Sequence, residues 1–237
     1  MAHTTAEVRD VEALVRWMHP TRGLLAPGAF VPLAEQTGVM GALTNHVLDA
    51  ALAQISRWYD EGLDLALAVN VSAETPPDEG WAVDVSSALV PHGMPASRLR
   101  IEITEDALMG HPDRALRVVE SLVATGVGVS LDDFGTGYSS LALLKHLPVD
   151  ELKIDRVVVR DLLHDHADGA IVRSVIDLGR RFRVRTVAEG VEDEATLRRL
   201  ADGGVTMAQG FHIGRPLAPA ELEAWLADRA ERRAAVA

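Results

Sequence analysis

The sequence contains no cysteine. Disulfide bonds and thiolate metal sites are therefore excluded, which fits a reducing compartment. The first ten residues, MAHTTAEVRD, are polar and form no apolar signal core. Elsewhere no apolar run reaches the roughly 20 residues that a membrane-spanning helix needs. These absences predict a cytoplasmic domain whose chemistry does not use sulfur ligands.

Basic residues are also scarce. Lysine and arginine together number 23 against 35 acidic residues, so the formal net charge is −12. This negative net charge argues against a broad electrostatic binding surface for nucleic acid. An anionic ligand would instead need locally placed cations or metal ions. Hydrophobic residues make up 48% of the 237 residues, which is enough for the core of one large domain.

Short apolar runs rich in β-forming residues alternate with longer helical patterns. The runs are VRDVEALV, LALAVNVS, LRIEITE, VGVSLDDF, ELKID, VRTVAEGV and MAQGF. Helices are predicted around Leu43–Trp58, over Pro112–Gly126, after Asp168 as N-cap, and from Glu221 to Ala237. Because no linker interrupts this rhythm, residues 1–237 are read as one domain, with 226–237 as a charged helical tail.

Alternation of strands and helices predicts an α/β fold with a mostly parallel sheet. Two arrangements remain open, a doubly wound sheet and a closed (β/α)8 barrel. No glycine fingerprint follows the first strand, which argues against a doubly wound sheet of the nucleotide-binding type. The seven predicted strands are one fewer than the eight of a closed (β/α)8 barrel.

Each of the seven runs carries a polar group late in an otherwise apolar stretch. These groups are Glu12, Asn70, Glu102, Asp132 with Asp133, Lys153, Glu189 and Gln209. In a parallel barrel all strand carboxyl ends point to one face, so these side chains would meet in one pocket.

Five of these residues are carboxylates, and five negative charges cannot share a pocket unless cations neutralise them. Oxygen ligands without cysteine or clustered histidine suit hard divalent ions such as Mg²⁺ or Mn²⁺. Adjacent aspartates at one strand end can hold two such ions roughly 3.5–4 Å apart. The pattern therefore predicts a two-metal site.

The same residues lie in motifs with a recognisable order and spacing. The motifs are VEALVRW, NVS, EITE, DDFGTGYSSL, LPVDELKID, VAEGVE and AQGF, between about Val11 and Trp225. Together they resemble the EAL-domain phosphodiesterases of bacterial cyclic di-GMP signalling. The resemblance implies a modified TIM barrel that hydrolyses one phosphodiester of cyclic di-GMP to the linear dinucleotide pGpG.

The resemblance also assigns roles by position. Glu12, Asn70, Glu102 and Asp132 would hold the first metal ion, and Asp132, Asp133 and Glu189 the second. Lys153 would position and help activate the attacking water, and Glu189 and Glu105 are also counted as catalytic. Arg16 would contact a ligand phosphate, with Leu14 and Gln209 also counted as substrate-binding and Glu192 near the pocket wall.

The loop after Asp133 has two implied roles. In the family it lies beside the metal ions and contributes to a homodimer contact, here through residues 133–141. Glu105 is similar to the glutamate that pins this loop, and the alternative for Glu105 is an ordinary exposed acid. A sensory or GGDEF domain upstream in a longer protein is a further implication.

One departure from the family concerns its first, antiparallel strand, for which the residues before Glu12 leave no room. Either the sequence is truncated or the barrel closes differently. The gap is expected between the strand of Glu12 and that of Gln209.

Two other functions compete with hydrolysis. One is a non-catalytic receptor or interaction module that binds the dinucleotide or a protein without cleaving it. Such members usually lose metal ligands, and none is lost here. The other is a phosphotriesterase-like or sugar-phosphate barrel, which would need histidine ligands or a phosphate-binding glycine loop.

Overall fold

The computed structural model describes residues 7–71, 80–110, 112–135 and 144–234. Within these ranges the strands are β1 (Asp10–Ala13), β2 (Trp17–His19), β3 (Gly23–Leu25), β4 (Ala66–Val71), β5 (Leu99–Thr104), β6 (Gly128–Phe134), β7 (Glu151–Ile154), β8 (Arg185–Ala188) and β9 (Met207–Ala208). The helices are α1 (Val31–Gln36), α2 (Met40–Asp60), α3 (Trp81–Leu89), α4 (Glu105–Gly110), α5 (Pro112–Ala124), α6 (Arg156–Arg160), α7 (His166–Phe182), α8 (Glu194–Gly203) and α9 (Pro219–Ala234).

Seven of these strands form one sheet in the order β1-β4-β5-β6-β7-β8-β9. All neighbouring pairs are parallel. They are the seven strands that the sequence predicts, and the parallel α/β architecture is confirmed. The antiparallel hairpin β2–β3 was not predicted. Its strands have three residues each and leave Trp17, Met18 and Leu24 exposed, so they lack the pattern of a buried strand.

The sheet curls until its two edge strands approach each other, but no strand of the described ranges lies between β1 and β9. Side chains span this gap instead. Gln209 Nε2 donates to Glu12 Oε2 over 2.6 Å. On the helical layer, Trp58 Nε1 of α2 donates to Glu223 Oε1 of α9 over 2.6 Å. The predicted position of the gap is confirmed.

The apolar core lies outside the curled sheet, between the strands and the helices. Val69, Ile101 and Leu152 point outward from β4, β5 and β7 and are fully buried. Leu52 of α2 and Leu122 of α5 belong to the same buried cluster. Because alternate residues of a strand face opposite sides, the polar groups between these apolar residues point into the barrel.

The beginning of α7 differs from the prediction. Asp165, rather than Asp168, is the N-cap, and its carboxylate accepts hydrogen bonds from the amides of Ala167 and Asp168. Asp168 lies in the first turn, where an acid also stabilises the helix dipole, so the two positions have similar sequence signatures. The predicted tail helix is α9, and residues 235–237 lie outside the described ranges. No helix in the described part of the chain has the length and hydropathy to cross a membrane.

Among the described strands, β1 and β9 each have one edge without a backbone partner. Backbone donors and acceptors at an open edge can pair with an added strand. Fusing the first helix and strand of a family member upstream of β1 should raise Tm by at least about 3 °C, which for a domain of this size corresponds to roughly 1 kcal/mol. Calorimetry would measure the change, with a flexible glycine–serine segment of equal length as control. Equal Tm values for the two fusions would contradict the prediction.

Candidate active site

A buried lysine lies at the centre of the barrel mouth. Lys153 is near the carboxyl end of β7, and its side chain is 2% exposed. Its Nζ is 2.7 Å from Glu189 Oε1 and 2.9 Å from Glu102 Oε2. Asp132 Oδ1 and Glu12 Oε2 follow at 3.6 and 3.7 Å. The structure thus brings together acids from four different strand ends around one ammonium group.

Glu12 is held from both sides by amides. Asn70 Nδ2 donates to Glu12 Oε1 over 2.6 Å, and Gln209 Nε2 donates to Glu12 Oε2 over 2.6 Å. Asn70 lies on the neighbouring strand β4, whereas Gln209 follows β9 on the far side of the gap. These two contacts fix the positions of both carboxylate oxygens of Glu12.

An irregularity in β6 places two successive aspartates at the same site. The pairing of β6 with β7 shifts register between Leu131 and Phe134. Within this bulge, Asp133 has a φ of 56°, a left-handed conformation that residues other than glycine rarely adopt. Its amide donates to Asp132 Oδ1 over 2.9 Å. As a result, Asp132 and Asp133 offer oxygens to one site with Glu189, and these ligand atoms lie within 4.8 Å of one another.

Asp155 is a site residue that the sequence analysis missed. Its carboxyl group contributes, after burial and Asp132, to the raised pKa of Asp133. It also caps α6 by accepting from the amide of Val157. The signal was present in the LKID motif, two residues after Lys153, but a helix cap alone explains an aspartate at that position.

The loops that carry Glu189 and Gln209 interlock. The amide of Gln209 donates to the carbonyl of Ala188, and the amide of Val191 donates to the carbonyl of Gln209. A Cβ on Gly210 would lie 2.2 Å from the backbone nitrogen and oxygen of Val191, so the crossing requires glycine. This close approach fixes the two site residues relative to each other.

The remaining predicted residues lie around this centre. Arg16 and Leu14 are exposed just beyond β1, and Arg16 Nη1 donates to the carbonyl of Val15 over 2.9 Å. Glu192 is exposed after Glu189. Glu105 begins α4 and is only 6% exposed, so the reading of Glu105 as an ordinary exposed acid is wrong. Residues 136–141 of the loop it would pin lie outside the described ranges, so the pinning role stays a prediction.

The charges of the cluster are strongly coupled. Burial lowers the pKa of Lys153, but the carboxylates, Glu102 foremost, outweigh burial and raise that pKa above its ordinary value. Burial raises the pKa of Glu102 to about 8 and that of Glu189 to about 7, against the opposing effect of Lys153. Burial and the adjacent Asp132 raise the pKa of Asp133 to about 6.

One ammonium cannot balance the five carboxylates Glu12, Glu102, Asp132, Asp133 and Glu189, so the site has an excess of negative charge. All five offer oxygen donors, and Asn70 adds an amide oxygen after rotation of its side-chain amide. Hard divalent cations prefer such a donor set. The residues present therefore fit the predicted type of cofactor.

The raised pKa of Glu102 predicts how stability depends on pH. Between the ordinary value of 4.5 and about 8, folded Glu102 binds more protons than unfolded Glu102. This stabilisation is complete below the lower value and is lost as the pH rises through the upper one. We expect the Tm in EDTA to fall from about pH 5 to about pH 8, because proton binding is linked to folding. The fall should be smaller with saturating Mg²⁺ and in Glu102→Gln. A Tm that rises across this interval in EDTA would refute the prediction.

Comparison with known proteins places these observations in a family. Residues 1–216 match the model of the family described as EAL domain. The bifunctional diguanylate cyclase/cyclic di-GMP phosphodiesterase MucR of Pseudomonas aeruginosa is 48% identical over 212 residues, which are 89% of this chain and 31% of MucR. The cyclic di-GMP phosphodiesterase NbdA of the same organism is 40% identical over 227 residues, 95% of this chain and 29% of NbdA. The chain thus spans about a third of the length of these relatives.

Comparison with solved structures gives the same family. A solved structure described as the PaMucR phosphodiesterase in complex with c-di-GMP matches with a TM-score of 0.88 and 46% sequence identity. The match covers 92% of this chain and 89% of that one. The curled parallel sheet, its helical layer and the sequence motifs agree with this match, and the chain belongs to the EAL domain family.

Proposed function

We propose that this chain is a metal-dependent phosphodiesterase that hydrolyses cyclic di-GMP to pGpG. The observation that carries the proposal is the convergence of four carboxylates on buried Lys153, with Asp133 beside Asp132 and Glu189, in a chain 48% identical to a named cyclic di-GMP phosphodiesterase. Attack of water on one phosphorus atom breaks one of its two ester bonds. The ring opens, leaving a 5′-phosphate at one end and a 3′-hydroxyl at the other.

Glu12, Asn70, Glu102 and Asp132 would hold one Mg²⁺ or Mn²⁺ ion, and Asp132, Asp133 and Glu189 a second. The distances among the second group support that assignment. Bound divalent ions would neutralise the excess charge of the site, lower the pKa of water and stabilise the negative charge that develops on the phosphate. With such charge balance, an anionic dinucleotide can approach an otherwise repulsive pocket.

Lys153 acts as a cation in this proposal. Because its pKa is raised by the surrounding acids, its ammonium is protonated at neutral pH and cannot remove a proton from water. It can donate a hydrogen bond to the nucleophilic oxygen and stabilise negative charge there. We assign Glu189, 2.7 Å from Nζ, as the acceptor of the proton of the water, and this proton balances the one that the leaving 3′-oxygen gains from solvent.

Substrate contacts are assigned to the rim of the site. Arg16 is exposed and has a planar fork of donors that suits a phosphate. Leu14 is exposed beside it and offers apolar contact. Gln209 reaches the pocket wall through its contact with Glu12. A homodimer through residues 133–141 and a regulatory domain upstream remain proposals, and most of that loop lies outside the described residues.

A receptor that binds the dinucleotide without cleaving it is the principal alternative. It predicts binding without product, whereas the enzyme predicts linear pGpG. No histidine takes part in the metal-capable group found in the described residues, which counts against the phosphotriesterase-like alternative.

Purified protein should convert cyclic di-GMP to pGpG with Mg²⁺ or Mn²⁺ and not in EDTA, as followed by liquid chromatography. Glu12→Ala should lower kcat by at least about 100-fold, because even a residue that only supports a metal ligand is typically worth roughly 10–100-fold and Glu12 is assigned as a ligand itself. Glu120→Ala, the same change on the exposed face of α5, is the control and should keep full activity. Near-normal turnover in Glu12→Ala would refute the assignment, and binding without product in the unaltered chain would favour the receptor.

Lys153→Ala should lower kcat far more than it raises KM. Its ammonium acts on the nucleophile rather than on the bound substrate, so its loss removes an interaction made mainly in the transition state. Steady-state kinetics would separate the two constants. Lys145→Ala removes an exposed lysine and serves as the matched control. A rise in KM as large as the fall in kcat would show that Lys153 instead binds the substrate phosphate.

A further inference from the structure

A second set of charges lies inside the barrel, one layer below the carboxylate site. It consists of Asp10 on β1, Arg100 on β5, Glu151 on β7 and Arg185 on β8. Asp10 Oδ2 is 3.3 Å from Arg100 Nη1 and 3.5 Å from Arg185 Nη1. Glu151 Oε2 is 2.9 Å from Arg185 Nη2 and 3.7 Å from Arg100 Nη1. We call these four residues the lower ion group.

The lower ion group is in register with the site above it. On three strands, a member of the group precedes a site residue by two positions: Asp10 and Glu12, Arg100 and Glu102, Glu151 and Lys153. Residues two apart in a strand face the same side and are separated by about 7 Å. A shift of β1 that moved Asp10 would therefore move Glu12 as well.

The position of β1 is weakly determined by its backbone. The strand has four residues and pairs with β4 alone, because no described strand adjoins its other edge. Among the described residues, two side-chain contacts connect β1 across the gap inside the barrel, Glu12 with Gln209 above and Asp10 with Arg185 below. Arg185 also lies 3.9 Å from the sulfur of Met207 on β9, so its side chain reaches both edges of the gap.

The lower ion group and the carboxylate site around Lys153, which forms the upper layer, differ in net charge. The upper layer has an excess of carboxylates, so Glu12 is repelled by most of its charged neighbours other than Lys153. The lower ion group contains two acids and two guanidinium groups, and its attraction opposes the outward displacement of β1. Removal of the Asp10 charge would leave two guanidinium groups facing one carboxylate.

We propose that Asp10 is a positioning residue for the active site: its contacts with Arg100 and Arg185 hold β1 across the gap and thereby place Glu12 where it can bind a divalent cation. The inference rests on the proposed function for the role of the cation. Among the described residues, the ion pairs of Asp10 are with Arg100 and Arg185, and none joins it to Lys153 of the carboxylate site.

The test compares Asp10→Asn with the unaltered 237-residue chain. Asparagine keeps the size of the side chain and removes its charge. We expect the affinity for Mn²⁺, measured by calorimetry without substrate, to fall about tenfold, as for supporting residues of other metal sites. Hydrogen exchange followed by mass spectrometry should be faster in β1, and kcat should fall in parallel.

Two controls separate positioning from general stability. Asp177→Asn makes the same change in an exposed ion pair with Arg180 on α7 and should alter neither readout. Leu122→Ala removes buried apolar contacts in the outer layer, so it should lower Tm while leaving Mn²⁺ affinity and β1 exchange unchanged. If Asp10→Asn behaves like Leu122→Ala, or changes nothing, the proposal is overturned.

Arg185→Lys replaces Asp10→Asn if that variant does not fold. Lysine keeps the positive charge but lacks the planar guanidinium group that contacts both Asp10 and Glu151. We therefore expect smaller changes in the same direction. Unchanged Mn²⁺ affinity and β1 exchange in this variant would equally overturn the role. If the unaltered chain binds Mn²⁺ but produces no pGpG, the proposed function fails, whereas the positioning role is still decided by affinity and exchange.

Discussion

The ammonium group of Lys153 is taken out of water into the centre of the barrel, and the arrangement of the strands depends on this burial. A buried cation requires partners at hydrogen-bonding distance. Two such partners come from β5 and the end of β8, and two further carboxylates on β1 and β6 lie at 3.7 and 3.6 Å, so the sheet must curl for all four to meet. The partners outnumber the ammonium, and their excess charge in turn creates a place for divalent cations.

Much of this site could be predicted from sequence because strand direction imposes a simple geometry. Apolar runs that end in polar groups identify the strands, and parallel strands place their carboxyl ends at one face. These two rules are sufficient to predict that Glu12, Glu102, Asp132 and Lys153 meet at one face. The gap was anticipated on different grounds, from a family pattern in which one strand had no counterpart here.

Other features depend on contacts that no local pattern contains. Alternation shows that Asp10 and Arg100 face the same side as Glu12 and Glu102, but only the curl of the sheet brings Asp10 to Arg185, 175 residues away. The left-handed conformation of Asp133 likewise follows from a register shift against β7, not from its own propensity. Because these features depend on contacts between distant segments, local sequence patterns do not predict them.

The gap between β1 and β9 gives this barrel a mechanical property that a closed barrel lacks. The circumference of a closed barrel is set by a full ring of backbone hydrogen bonds, and changing it would require several of them to break together. Within the described residues, the last segment of the ring is spanned by side chains with rotatable bonds, which can lengthen by small steps. The width of the mouth at Glu12 is therefore the most compliant dimension of the sheet, and any segment that enters the gap would act directly on it.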